Sequence, residues 1–119
     1  MQVGVPKEIK VHESRVAITP DGVSELVRAG HEVFIEAGAG LGSAITDADF
    51  LAHGAKILAT ADEVWNTAEL ILKVKEPIEF EYARIKPRHT LFTYLHLAAS
   101  KPCTDALIAS GCAAIAYET

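Results

Sequence analysis

Short apolar runs alternate with amphipathic stretches from one end of the chain to the other. Residues 3–6 form a first β-rich run, stopped by Pro6. In residues 21–29, Val23, Leu26 and Val27 recur at helical spacing. Thr19 stands there as N-cap, Pro20 as the first helical residue and Gly30 as the stop. Residues 32–36 alternate polar and apolar side chains, the period of a half-buried strand. Thr46 and Thr60 each precede a short helical stretch, 47–53 and 62–66, and Gly54 ends the first. Further strands are read at 56–58, 69–74, 90–95 and 113–117. Further helices are read at 79–85 and 100–109, the latter closed by Gly111.

Strands alternating with helices predict an α/β fold with a mostly parallel sheet. The expected architecture is three layers, α/β/α, Rossmann-like in the flavodoxin-like manner. A chain of 119 residues suffices for one domain with one real core. Its last strand stops two residues from the final Thr119. Such a strand is normally covered by a further element, so the domain is expected to be incomplete. Apolar surface on residues 113–117 and a homo-oligomer are expected with it.

Composition narrows the classes of partner. A net charge of -5 leaves no electrostatic footprint for nucleic acid. No run of eighteen apolar residues is present, so no helical membrane span is expected. The start, Met1-Gln2-Val3-Gly4-Val5-Pro6-Lys7-Glu8, has neither the basic nor the apolar region of a signal peptide, and the expected location is the cytoplasm. Cys103 and Cys112 lack CxxC spacing and are read as free structural thiols.

In an open parallel sheet, ligands bind beyond the carboxyl ends of the strands. That rule selects Arg15 in the loop after the first strand, Lys75 and His96 directly after later strands, and Glu118 after the last. A guanidinium binds a carboxylate as a two-pronged fork, and an ammonium suits a carbonyl oxygen or a second carboxylate contact. An imidazole gives and takes protons near neutrality. Two cations and an acid–base group suit a small keto or amino acid. Each residue also has a plainer reading. Arg15 pairs with Glu8 or Glu13 on the surface, Lys75 is a solvated strand end, and His96 is a hydrogen-bonded structural residue. Nothing near Glu118 demands a carboxylate, so it is read as structural. His12, His31, His53 and His89 are assigned no chemistry.

Gly38, Gly40 and Gly42 follow a strand and precede a helix, as a dinucleotide fingerprint does. The fingerprint needs its third glycine at the place of Ser43, and the expected strand-end acid is missing because Asp62 opens a helix. The loop is therefore read as a tight structural turn. Metal-ligand spacings such as HxH and HExxH do not occur, and no metal is expected.

Several stretches resemble a known family. Gly4-Val5-Pro6-Lys7-Glu8, Arg15-Val16-Ala17-Ile18-Thr19-Pro20, Gly38-Ala39-Gly40 and Asp47-Ala48-Asp49-Phe50 resemble both alanine dehydrogenases and the nicotinamide nucleotide transhydrogenase α-subunit. Leu72-Lys73-Val74-Lys75-Glu76-Pro77 and Phe92-Thr93-Tyr94-Leu95-His96-Leu97-Ala98-Ala99-Ser100 resemble alanine dehydrogenases specifically. The resemblance implies the reversible, NAD-dependent oxidative deamination of L-alanine to pyruvate and ammonia. It implies that Arg15 and Lys75 hold the substrate carboxylate and carbonyl, and that His96 is the acid–base group.

Members of that family are about three times this length, beyond the single-domain range. Residues 1–119 would then be the N-terminal part of the substrate domain. The NAD-binding Rossmann domain would lie elsewhere in the parent, and this segment alone would bind no cofactor and be inactive. Two other readings remain: a non-catalytic domain that senses a small acid or binds a partner, and a transhydrogenase α-subunit fragment, against which Lys75 and His96 stand.

Overall fold

A computed structural model describes residues 1–9, 12–94 and 101–116. Among these, β1 (Gln2–Val5), β2 (Glu32–Glu36), β3 (Lys56–Leu58), β4 (Leu70–Lys75), β5 (Thr90–Tyr94) and β6 (Ala113–Ala116) form one sheet. Its order is β3-β2-β1-β4-β5-β6, and every neighbouring pair is parallel. The connecting helices are α1 (Pro20–Arg28), α2 (Asp47–Ala52), α3 (Ala61–Thr67), α4 (Glu79–Tyr82) and α5 (Lys101–Ser110). The α/β class and three-layer arrangement expected from the sequence are what the chain adopts. Of the two common doubly wound strand orders, this sheet takes 3-2-1-4-5-6, which reverses direction between β1 and β4.

The helix starts follow local chemistry. Thr19 Oγ1 accepts the Gly22 N–H at 3.1 Å, Thr46 that of Asp49 at 3.1 Å and Thr60 that of Glu63 at 3.2 Å. Asp49 returns the favour to the Thr46 N–H at 3.0 Å, completing a capping box. The helix expected over 79–85 is shorter, because only residues 79–82 keep helical geometry. Its end leads to the buried Ile85 and to a turn fixed by His89. Lys86 N–H donates to His89 Nδ1 at 2.9 Å, so Nε2 carries the proton and donates to Trp65 O at 2.7 Å. Burial pushes His89 below the ordinary imidazole range and keeps it neutral. This loop histidine is structural.

Two cores lie on opposite faces of the sheet. Val3, Val5, Val33 and Ile35 pack with Val23 of α1 and Phe50 of α2. Ile71 and Leu91 pack on the other face with Trp65 of α3 and Cys103 of α5. Cys103 is buried and Cys112 partly so, and neither is in a disulfide. At the edge of the sheet, Ala113, Ala114 and Ile115 of β6 are exposed, as expected. Among the described residues no helix is long and apolar enough to cross a membrane.

The crossover helix α3 rests directly on β1. A Cβ at Gly4 would stand 2.6 Å from Ala68 Cβ and 2.9 Å from Val64 Cγ1. Gly4→Ala is therefore expected to destabilise the protein by about 1–3 kcal/mol, the cost of overpacking a filled core. Urea denaturation measures this, and an unchanged midpoint would show that α3 does not need that close approach.

Candidate functional site

The reversal between β1 and β4 opens a crevice beyond the carboxyl ends of those strands. Glu8, three residues after β1, spans it. Its carboxylate accepts the N–H groups of Val74 at 3.0 Å and Lys75 at 3.1 Å, and pairs with Lys73 Nζ at 3.1 Å. Lys73 also meets Glu81 Oε2 at 3.0 Å, and all three side chains are at most 2 % exposed. Glu81 closes the cluster by accepting the Ile78 N–H with its other oxygen, at 3.1 Å, at the start of α4. Burial pushes the Glu81 carboxyl above the ordinary range, with Lys73 opposing the shift.

This clasp sits on an irregularity in β4. Between Leu72 and Lys75 the pairing with β5 slips by one residue, so that Leu72 faces Phe92 but Lys75 faces Tyr94. An extra residue in one strand breaks the two-residue repeat that would otherwise give Lys73 and Lys75 the same surroundings. Lys73 and Val74 are consecutive and both buried, while Lys75 is half-buried and closes the strand that the sequence ended at residue 74. Sequence inspection missed Glu8, Lys73 and Glu81. Two lysines at alternate positions in an otherwise apolar strand were the available signal.

Arg15 lies on the long connection between β1 and α1. Val16, Ala17 and Ile18 pack against the first core and anchor the segment after it. The glycine loop supports the segment before it: a Cβ at Gly42 would collide with the Ser14 carbonyl, and Ser43 Oγ donates to that carbonyl at 3.3 Å. This accounts for the glycines as a structural turn. The space beside Gly40 is filled by Phe50 and Ile45, and the Gly38 N–H already donates to Asp47 at 2.9 Å. A dinucleotide phosphate does not fit there.

Arg15 does pair with Glu13, the plainer of the two readings considered from the sequence. Nε donates to one carboxylate oxygen and Nη2 to the other, each at 2.9 Å, and the Arg15 N–H adds a bond of 2.8 Å. The pair is not an ordinary surface bridge, because the Glu13 side chain is 5 % exposed while that of Arg15 is 60 % exposed. The Arg15 hydrogen bonds hold the Glu13 carboxyl down at about 2, and the positive charge of Lys75 adds to the effect. Arg15 thus pairs with this carboxylate directly, whereas Lys75 acts on it through its charge alone. Arg15 lines a cleft of about 360 Å³ together with Val74, and a smaller one of about 240 Å³ together with Glu13 and Glu8. His96 and Glu118 lie outside the described residues. In sequence, His96 follows Tyr94, the register partner of Lys75, by two positions.

A guanidinium held by a carboxylate, with a second cation closing β4 at a switch-point crevice, suits a small organic acid. Comparison with known proteins gives the family. The family model described as "Alanine dehydrogenase/PNT, N-terminal domain" matches residues 4–119. The chain is 71 % identical to the alanine dehydrogenase of Mycolicibacterium smegmatis and 65 % identical to that of Mycobacterium tuberculosis, over its full length in both cases. It spans 32 % of the length of each of these relatives. Among solved structures, an L-alanine dehydrogenase superposes with a TM-score of 0.97 at 48 % identity, covering all of this chain and 33 % of the other. A transhydrogenase from Sinorhizobium meliloti gives 0.90 at 30 % identity, covering 98 % and 33 %.

Two outcomes test the geometry. Glu8→Ala leaves Lys73 short of a counter-charge and two N–H groups without their acceptor, and should cost about 3–5 kcal/mol in chemical denaturation. A loss under about 1 kcal/mol would mean that the clasp is not holding β4. Because its folded pKa is lowered, Glu13 contributes stability that is complete above 4.5 and lost as pH falls through about 2. Carboxyl ¹³C NMR should place its midpoint near 2, moving back towards 4.5 in Arg15→Ala. A wild-type midpoint near 4.5 would contradict the pairing.

Proposed function

The chain belongs to the alanine dehydrogenase/PNT N-terminal domain family, and from that premise we propose that it forms the substrate-binding part of an L-alanine dehydrogenase. What supports this reading is the pairing of Arg15 with Glu13 beside the switch-point crevice, together with Lys75 at the end of β4, whose charge adds to the lowering of the Glu13 carboxyl. The high identity to alanine dehydrogenases supports that branch of the family over the transhydrogenase branch.

The reaction is the reversible, NAD-dependent conversion of L-alanine to pyruvate and ammonia. Arg15 grips the substrate carboxylate and fixes its plane. Lys75, its main chain held by Glu8, offers a positive charge to the carbonyl oxygen and so helps to hold the substrate. His96 moves protons at that oxygen and at the amino nitrogen as the carbinolamine forms and collapses. The nicotinamide, when bound, supplies the hydride acceptor. The glycine loop over 38–42 does not fit it, and the proposal places the cofactor in a further domain of the parent protein. Residues 1–119 are in this reading the N-terminal part of the substrate domain.

The test is kinetic and uses the full-length polypeptide that carries this segment. Wild type should form NADH in an alanine-dependent manner. His96→Ala should lose about 10²-fold or more in kcat, the usual contribution of a positioned acid–base group. Arg15→Ala and Lys75→Ala should chiefly raise the KM for pyruvate. Near-normal turnover in the His96 variant defeats its acid–base role, and wild type inert towards alanine defeats the whole reading.

A further inference from the structure

The reaction proposed above uses Arg15 and Lys75 but gives no task to Glu13, the acid paired with Arg15. Arg15 and Lys75 carry two positive charges, whereas pyruvate and the carboxylate end of alanine bring one negative charge. Glu13 is the third member of the set. It meets two guanidinium nitrogens at 2.9 Å each and its side chain is 5 % exposed. It lines the smaller cleft together with Arg15. Glu8 lines that cleft too, but its charge is taken up by Lys73 and by two main-chain N–H groups. Glu13 remains ionised across the physiological range, held so first by Arg15 and also by Lys75. With Glu13 included, the formal charge of Arg15, Lys75 and Glu13 taken together falls from two positive to one, and Lys7 adds a further cation to the lining of the smaller cleft. The negative charge of Glu13, seated on the Arg15 guanidinium, also faces any second carboxylate that approaches the same guanidinium at close range.

We propose that Glu13 is a specificity-determining residue which restricts this site to acids with a single carboxylate and excludes dicarboxylates of similar size. The proposal rests on the assignment of Arg15 and Lys75 as the substrate-binding cations. It follows the general rule that discrimination between similar ligands uses a repulsive element as well as an attractive one. The attractive element is the Arg15 fork, and the repulsive one is the carboxylate already seated against it.

Oxamate and oxalate make the test clean. Both are planar two-carbon acids of nearly the same size, and they differ by one negative charge. Calorimetry on the full-length polypeptide should show wild type binding oxamate more tightly than oxalate. Glu13→Gln keeps the size of the side chain and removes its charge. It should shift the ratio of the two affinities towards oxalate by about tenfold or more, as expected for a unit charge removed at close range. Glu13→Asp keeps the charge and should retain the wild-type preference. An unshifted ratio in Glu13→Gln overturns the proposal. So does a wild type that binds oxalate as tightly as oxamate, a result that needs no variant to fold. Alanine turnover by wild type reports separately on the underlying function. Turnover with an unshifted ratio defeats only the charge filter. A shifted ratio without turnover supports the filter and defeats only the dehydrogenase reading.

Discussion

The carboxylate of Glu8 ties the two halves of the sheet together at the point where their order reverses. It reaches from the end of β1 to two main-chain N–H groups and one ammonium of β4. These bonds are made where the pairing of β4 with β5 slips, and the slip separates the surroundings of Lys73 and Lys75. Lys73 turns inward to its two carboxylates, and Lys75 comes within electrostatic reach of Glu13. A buried ion pair alone is weak evidence for stability, since desolvation offsets most of the attraction. Here its value is geometric: it fixes an irregular strand end beside the crevice.

The Arg15 segment is held by a different device. Apolar residues on one side of it enter the first core, and the glycine loop packs against Ser14 on the other. Glu13 then takes the Arg15 guanidinium from within the same turn, aligning the fork before any ligand arrives. Preorganisation of this kind reduces what must be ordered on binding. Both cations are thus supported by carboxylates, Arg15 through its side chain by Glu13 and Lys75 through its main chain by Glu8.

Much of this was legible in the chain because it depends on local chemistry. Threonine caps at 19, 46 and 60, alternation over 32–36 and the glycine stops at 30, 54 and 111 act over a few residues, and the elements they predict are present. Placing Arg15 and Lys75 near strand ends followed from the same pattern. The strand order was beyond its reach, since nothing local specifies that the third crossover passes to the far side of β1. The buried Glu8–Lys73–Glu81 cluster was equally hidden, because it joins residues more than sixty positions apart. Glu13 was visible only as a surface partner for Arg15. Its two-pronged grip on Arg15 and its 5 % exposed side chain arise only in the folded loop, which no pattern of polar and apolar positions encodes.

The central claim is that Arg15 and Lys75 act on one small acid. A crystal structure of the full-length polypeptide with pyruvate bound tests it most directly. The account predicts the pyruvate carboxylate on the Arg15 guanidinium, with the Lys75 ammonium within hydrogen-bond reach of the same molecule. Pyruvate seated elsewhere, or touching neither cation, would contradict it.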